Sequence, residues 1–265
     1  MRRRRAEGRG AERRGAAHRA AGRHQAGRDS AARGILAVDI GGTHIKVLAS
    51  GARVPRKADS GPKLTPQQMV SIVQKLAGDW QYDVVSIGYP GVVWHGHPIA
   101  EPANLGYGWV KFDYAHAFGR PVRILNDAAM QAIGSYEGGR MLFLGLGTGL
   151  GSALILDHLV EATELAHLPY KKGHTYEDYL GKHGLARRGR RKWERAVHDV
   201  TERLIEAFEV EYVVIGGGNA RKLHKLPARA ELGDNANAFE GAFRLWREEG
   251  WAQPSSSGTT RRRSR

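Results

Sequence analysis

Three short glycine-rich stretches could do chemistry through their backbones: Gly41-Gly42-Thr43, "GLGTGLG" over 145–151 and "GGGN" over 216–219. Each follows an apolar run that reads as a strand. Glycine lets a backbone approach a ligand closely, and successive N–H groups in a turn form a nest for an anion, most often a phosphate. A tight hairpin needs glycine anyway, so one such turn carries little weight. Three at strand ends, two with a threonine hydroxyl, point to a phosphate-bearing ligand. The candidate contacts are Gly41, Gly42, Thr43 and Lys46 in the first turn, Gly147, Thr148 and Gly149 in the second, and Gly217 and Gly218 in the third. No G-x-x-x-x-G-K-[ST] run is present, and none of the three turns fits G-x-G-x-x-G, which excludes P-loop and Rossmann grips. Asp39 sits just ahead of the first turn. A carboxylate beside phosphates repels them unless it holds a cation, so Asp39 is read as a Mg2+ ligand, directly or through water. The plainer alternative is a carboxylate that caps the hairpin turn.

The elements that must position these groups follow from periodicity. Residues 35–40 and 45–50 read as paired strands around the first turn. Residues 65–78 read as a helix, with Pro66 at its start and Met69, Ile72, Val73 and Leu76 at helical spacing. Strands are expected at 84–88, 122–126, 141–145, 152–156 and 212–215, and helices at 127–136, 193–208 and 235–246. Strand hairpins followed by helix–strand alternation, run through twice, predict two α/β lobes, at 34–120 and 121–235, with a final helix at 236–250 packing back on the first lobe. The hairpins at 41–43 and 145–151 look like one device used once per lobe.

Composition narrows the class. The chain has 265 residues and a formal net charge of +14. Residues 1–33 contribute +8 and residues 251–265 contribute +4, so the body between them is nearly neutral. Both ends lack large apolar side chains in number and are expected to be disordered tails. A near-neutral body argues against nucleic acid as a partner. There is no cysteine, which excludes disulfides, thiolate zinc sites and cysteine nucleophiles. No apolar run approaches membrane-spanning length and no signal-peptide pattern opens the chain, so a cytoplasmic protein without membrane contact is expected.

In order along the chain stand "DIGGTHIK", "IGYPG", "ANLGYGW", "LNDA", "GLGTGLGSALI", "TELAHL" and "VIGGG". This series resembles the ROK family of sugar kinases, over about residues 35–249. The resemblance implies an α/β, two-lobed actin-like ATPase (ribonuclease H-like) fold with a cleft between the lobes. It also implies a hexose as acceptor, ATP or polyphosphate as donor, Mg2+, and a homodimer. Most of the family carries a cysteine-rich zinc loop; here only "LPYKKGHTY" separates His167 from Glu177, which resembles the polyphosphate glucokinase branch and leaves His167 without a zinc role.

The resemblance implies sugar contacts at Asn104, Asn126, Asp127, Glu164, His167 and Glu177. Carboxylates, amides and imidazole are natural partners for a ring of hydroxyls. Asp127, after a strand and at a helix start, is the expected catalytic base for the C6 hydroxyl; a helix N-cap is the plainer role for an "NDA" sequence. The chain departs from the family at Ala166, where Glu-x-Gly-His is usual. An alanine forced to positive φ there would mis-aim His167. It departs again at "YEDYLG", around Glu177, and at Tyr89 in "IGYPG".

Residues 171–192 hold eight Lys or Arg and two acids. Such a strip suits a long polyanion such as polyphosphate, or is a solvated loop. Three classes follow: a hexokinase-type enzyme acting on glucose or another hexose, a sugar-binding pseudo-enzyme, and a DNA-binding regulator. Residues 1–33 are too short and too polar for the winged-helix domain that regulators of the family carry, which disfavours the last.

Overall fold

The computed structural model describes residues 34–248 and Trp251. The expected tail at 1–33, and all of 251–265 but Trp251, lie outside the described residues. The chain begins with a hairpin of β1 (Ile35–Ile40) and β2 (His44–Ala49), extended by β3 (Arg56–Asp59). Helix α1 (Pro66–Ala77) follows, then β4 (Val84–Tyr89), a two-stranded ribbon of β5 (Val93–Trp94) and β6 (His97–Pro98), and the short α2 (Tyr114–Phe118). Next come β7 (Val122–Asn126), α3 (Asp127–Ser135) and the strands β8 (Arg140–Leu146), β9 (Leu150–Leu156) and β10 (Leu159–Thr163). Helices α4 (Tyr176–Leu180), α5 (Lys182–Arg188) and α6 (Arg190–Phe208) lead to β11 (Tyr212–Gly216), β12 (Ala230–Leu232) and α7 (Asn237–Arg247).

The strands form two five-stranded sheets with one topology. Their orders are β3-β2-β1-β4-β7 and β10-β9-β8-β11-β12. In each, the first strand makes antiparallel hairpins on one side and parallel pairs on the other. The glycine turns at 41–43 and 147–149 are therefore the same hairpin in two copies. β7, read from sequence as the opening of the second lobe, pairs with β4 in the first sheet. The reason is parallel pairing: β4 still had an open edge, and the crossover through α2 returns the chain to it.

The core lies in three layers. Leu36, Val38, Ile45 and Val47 pack against Met69, Val70 and Val73 of α1 on the outer face of the first sheet. Leu142, Leu144, Val213 and Ile215 pack against Trp193, Val197 and Val200 of α6 on the outer face of the second. Between the sheets sit α3 and α7, whose Met130, Ile133, Phe239 and Phe243 meet Ile35, Phe143 and Ile155. Phe239 and Phe243 are thus core, with Trp246 packed beside them. This accounts for the unbroken apolar runs in β1, β4 and β8, which are covered on both faces.

Local chemistry sets the helix ends. Thr65 and Gln68 form a reciprocal capping box at the start of α1, with Pro66 in the first turn. α7 is tied into the first sheet through buried Ser86, whose hydroxyl donates to Ala242 O (2.7 Å) and accepts from Trp246 Nε1 (2.9 Å). Arg244 closes the far end of α3 by donating to Ile133 O and Tyr136 O at 3.0 and 2.8 Å. Among the described residues no helix is long and apolar enough to cross a membrane.

The crossing of α3 and α7 depends on two glycines. A Cβ at Gly134 would collide with Asn237 O, and one at Gly241 with Met130 O. Gly134→Ala or Gly241→Ala must push the helices apart, and urea unfolding should show a loss of about 3 kcal/mol for either, at the upper end of overpacking costs. An Ala at partly buried Gly61, in the loop before α1, where nothing lies within contact distance of the added carbon, should leave stability within about 0.5 kcal/mol.

Candidate active site

Three parallel strands of the first sheet end together. In register, Asp39 lies opposite Gly88, and Gly88 opposite Leu125. The chain then leaves β7 through Asn126 and enters α3 at Asp127. Glycine at 88 keeps the middle strand bare: a Cβ there would lie 3.7 Å from Asp127 Cα. Asp39 and Asp127 consequently face each other across a strand that carries no side chain between them.

Asp127 occupies the first position of α3, where the helix dipole favours a negative charge. Its Oδ1 accepts from Ala128 N at 2.8 Å. Burial and the neighbouring negative charge of Asp39 outweigh that bond, with a smaller push from Glu164, and raise its pKa to about 7. A carboxyl group poised there can hold or release a proton near neutral pH. The N-cap role falls to Asn126, whose Oδ1 accepts from Ala128 N and Ala129 N while its Nδ2 donates to Gly91 O. One N–H of Asn126 remains for a ligand.

The first glycine turn is closed by Gly41 N donating to His44 O (2.9 Å), which spends that N–H on the hairpin. Neither Gly41 nor Gly42 adopts positive φ. Gly42 is needed for proximity: its Cβ would lie 3.2 Å from Asn104 Cβ. Asn104 therefore sits against the first turn. Thr43 is exposed beside it. Lys46 is the cross-strand partner of Asp39, and its Nζ donates to Asp39 Oδ2 at 3.0 Å.

The second and third turns leave adjacent parallel strands, with Gly145 opposite Gly216. Asn219, nearly buried and not singled out from sequence, binds them together: its N donates to Leu146 O and its Nδ2 to Gly147 O. Gly217 adopts φ +83 and abuts the Leu146 backbone, so no other residue fits there. Gly218 is exposed at the tip. Gly147 N is spent on Gly145 O and Gly149 O. Thr148 O accepts from Lys182 N, which seats the start of α5 on this turn.

Glu177 lies against the second turn. Its Oε2 accepts from Leu150 N at 3.1 Å, and Gly149 has no side chain because the Glu177 carboxylate occupies that space. Glu164 and His167 form a loose pair at 3.8 Å and both side chains are mostly exposed. Ala166 is buried in a 3-10 turn (Leu165–His167) and is not at positive φ, so the strain that its replacement of glycine suggested does not arise. Tyr89 is buried, donates to Ala100 O at 2.8 Å and packs on Trp109, a structural role.

The donor set suits a Mg2+ ion held by few protein ligands. Among the described residues no cluster of three or more His, Asp or Glu side chains could cage a metal. Mg2+ is commonly held by one or two carboxylates, with waters and substrate phosphates completing the shell. Asp39 facing Asp127 provides that pattern. A further feature, unread from sequence, is a cavity of about 340 Å3 between the β5–β6 ribbon and β10, reached by Asn126 and Glu164.

Two sheets of one topology, joined by two central helices, define the two-lobed actin-like (ribonuclease H-like) fold with a cleft between the lobes. The sequence profile of the ROK family matches residues 35–185, and the chain belongs to that family. Its structure is similar to an inorganic polyphosphate/ATP-glucomannokinase from Arthrobacter sp. strain KM, with TM-score 0.68 and 23% identity over 81% of this chain and 98% of that one. It is also similar to a ROK family glucokinase from Streptomyces griseus in complex with glucose and AMPPNP, with TM-score 0.67 and 18% identity over 81% and 99% of the two chains. A ROK family transcriptional regulator, a homolog of the E. coli MLC protein, is similar with TM-score 0.64 and 13% identity over 81% and 77%. No curated protein matches the chain in sequence.

The raised pKa of Asp127 has a consequence for stability. The folded protein keeps this proton up to about pH 7, whereas the unfolded chain releases it near pH 4. Between those values the folded state binds more protons, so the contribution of this group to stability falls as pH rises and levels off above about 7. Urea unfolding across that window should show a downward slope in wild type that Asp127→Asn reduces.

Proposed function

We propose that this protein is a sugar kinase that transfers a phosphoryl group from ATP or polyphosphate to the C6 hydroxyl of glucose. The observation that carries the reading is Asp127: a carboxyl group at a strand–helix junction, facing a second carboxylate, with its pKa raised to about 7. A general base that works near neutral pH needs such a value. The Asp39–Asp127 pair favours a working enzyme over a sugar-binding regulator.

In this reading Asp127 accepts the proton of the C6 hydroxyl as that oxygen attacks the terminal phosphorus in line. The new O–P bond forms as the bridging O–P bond of the donor breaks, and the shortened donor leaves with the bridging oxygen. Asn104, Asn126, Glu164 and His167 hold the sugar hydroxyls. Glu177 joins them through the carboxylate oxygen that Leu150 N does not engage. Gly42, Thr43, Gly149, Gly217 and Gly218 face donor phosphates from both lobes. Asp39 would hold Mg2+, which supplies charge neutralisation on the donor when bound. Lys46 holds the Asp39 carboxylate in place and reaches the same phosphates.

Polyphosphate is supported as a donor by the basic segment at 171–192, which is helical from Tyr176 onward. Lys182 opens α5 at the second glycine turn, and Arg187, Arg190, Arg191 and Lys192 are exposed along α5 and α6. A chain of phosphates leaving the turn would run along this surface.

Formation of glucose 6-phosphate, measured separately with ATP and polyphosphate and Mg2+, tests the reading. Wild type should be active, and Asp127→Asn should lose about 100- to 10,000-fold in kcat with little change in glucose KM. The acidic limb of kcat/KM should fall near the raised pKa, about 7. Lys182→Ala with Arg191→Ala should raise KM for polyphosphate about tenfold and KM for ATP less than about twofold, with the difference shrinking in high salt. Folded protein silent with both donors on several hexoses would overturn the kinase reading.

A further inference from the structure

The β5–β6 ribbon projects from the first lobe on a two-residue turn. His95 and Gly96 both adopt positive φ, 48° and 77°, as a type I′ hairpin requires. Trp94, paired with His97, is 64% exposed. Its significance lies in its place, at the wall of a cavity beside the candidate site. The base of the ribbon is fixed to the site: Ile99 N donates to Val92 O, and the Gly91 carbonyl accepts from Asn126 Nδ2. Asn126 also caps the helix that carries Asp127. The ribbon and the proton-accepting carboxyl are therefore held by the same side chain.

Trp94 and Val93 form one wall of the cavity of about 340 Å3, and Leu125 and Val160 contribute to its apolar lining. That volume is at the small end for small-molecule sites, which run from about 300 to 1,000 Å3. Its polar groups include Asn126 and Glu164, both expected sugar contacts, together with Glu161 and the His95 imidazole. No lysine or arginine lines it. Two carboxylates and no lysine or arginine make this cavity a poor place for the phosphates of the donor. An uncharged ligand with hydroxyls on its rim and a C–H face matches the lining: the hydroxyls meet Asn126 and Glu164, and the C–H face meets the flat indole.

We propose that Trp94 is a specificity-determining residue of the acceptor site, its indole forming the wall against which the apolar face of an unphosphorylated hexose ring rests. This rests on the sugar-kinase reading above. Trp94 takes no part in proton transfer, so its loss acts on acceptor binding and leaves the chemical step in place.

The test uses the full chain with D-glucose as probe. Trp94→Ala should raise glucose KM about tenfold with kcat held within about twofold and donor KM unchanged, and Trp94→Phe should restore most of the affinity. In Ala162→Phe, whose added ring enters the cavity from exposed β10, glucose KM should rise with wild-type stability. Glucose titrated into wild type should change tryptophan fluorescence by an amount that Trp94→Phe removes. This binding signal needs no turnover, so it decides the proposal even if no donor supports phosphorylation. Unchanged glucose KM in Trp94→Ala, or a fluorescence response identical in wild type and Trp94→Phe, would overturn it. So would a shift of Trp94→Ala to a smaller sedimenting species with normal KM, which would make the indole a contact between copies of the chain.

Discussion

Two like charges are held toward each other by the strands beneath them. Asp39 ends β1, Asp127 begins α3 just beyond β7, and the strand between contributes Gly88, which has no side chain to separate them. Such an arrangement is unfavourable in isolation and persists because both sheets and the two central helices over-determine it. Lys46 relieves part of the repulsion at Asp39, and a retained proton relieves it at Asp127. In the proposed function this site would exchange a proton for a cation when a polyanionic donor arrives with its metal.

In the proposed function, the duplicated topology is what lets one chain surround a donor. Each sheet delivers a hairpin turn of glycines from its first strand, and the second sheet adds a further turn from the neighbouring strand β11. The turns differ in what occupies their backbones. The first has Asn104 against it, from the lobe that carries Asp39. The second has the carboxylate of Glu177 on its Leu150 N–H and the start of α5 on Thr148 O. Glu177 thus links the glycine turn to the helical segment that bears the basic strip. A residue read from sequence as one more hydroxyl partner is, in the structure, a support of the turn.

Much of this was legible from local pattern. The glycine hairpins, the strand at 122–126 and the helix that follows it have strong periodicity and clear end signals, and the strand boundaries agree with the observed β7. What escaped depends on distant pairing. β7 looks like the start of a new unit along the chain, yet its partner is β4. The role of Asn219, the last residue of "GGGN", escaped because it comes from two carbonyls 72 or more residues away. The ribbon with Trp94 has two-residue strands, too short for alternation to register. The concern over Ala166 arose from an assumed φ; the 3-10 turn there is right-handed and accepts alanine.

The central claim is that Asp127 is held near neutrality by its burial and by Asp39. Carbon-13 NMR titration of the Asp127 carboxyl in wild type and in Asp39→Asn measures it directly. The account predicts a midpoint near 7 in wild type and a clearly lower one in Asp39→Asn. A wild-type midpoint near about 4, the ordinary aspartate value, unmoved by the loss of Asp39, would contradict it.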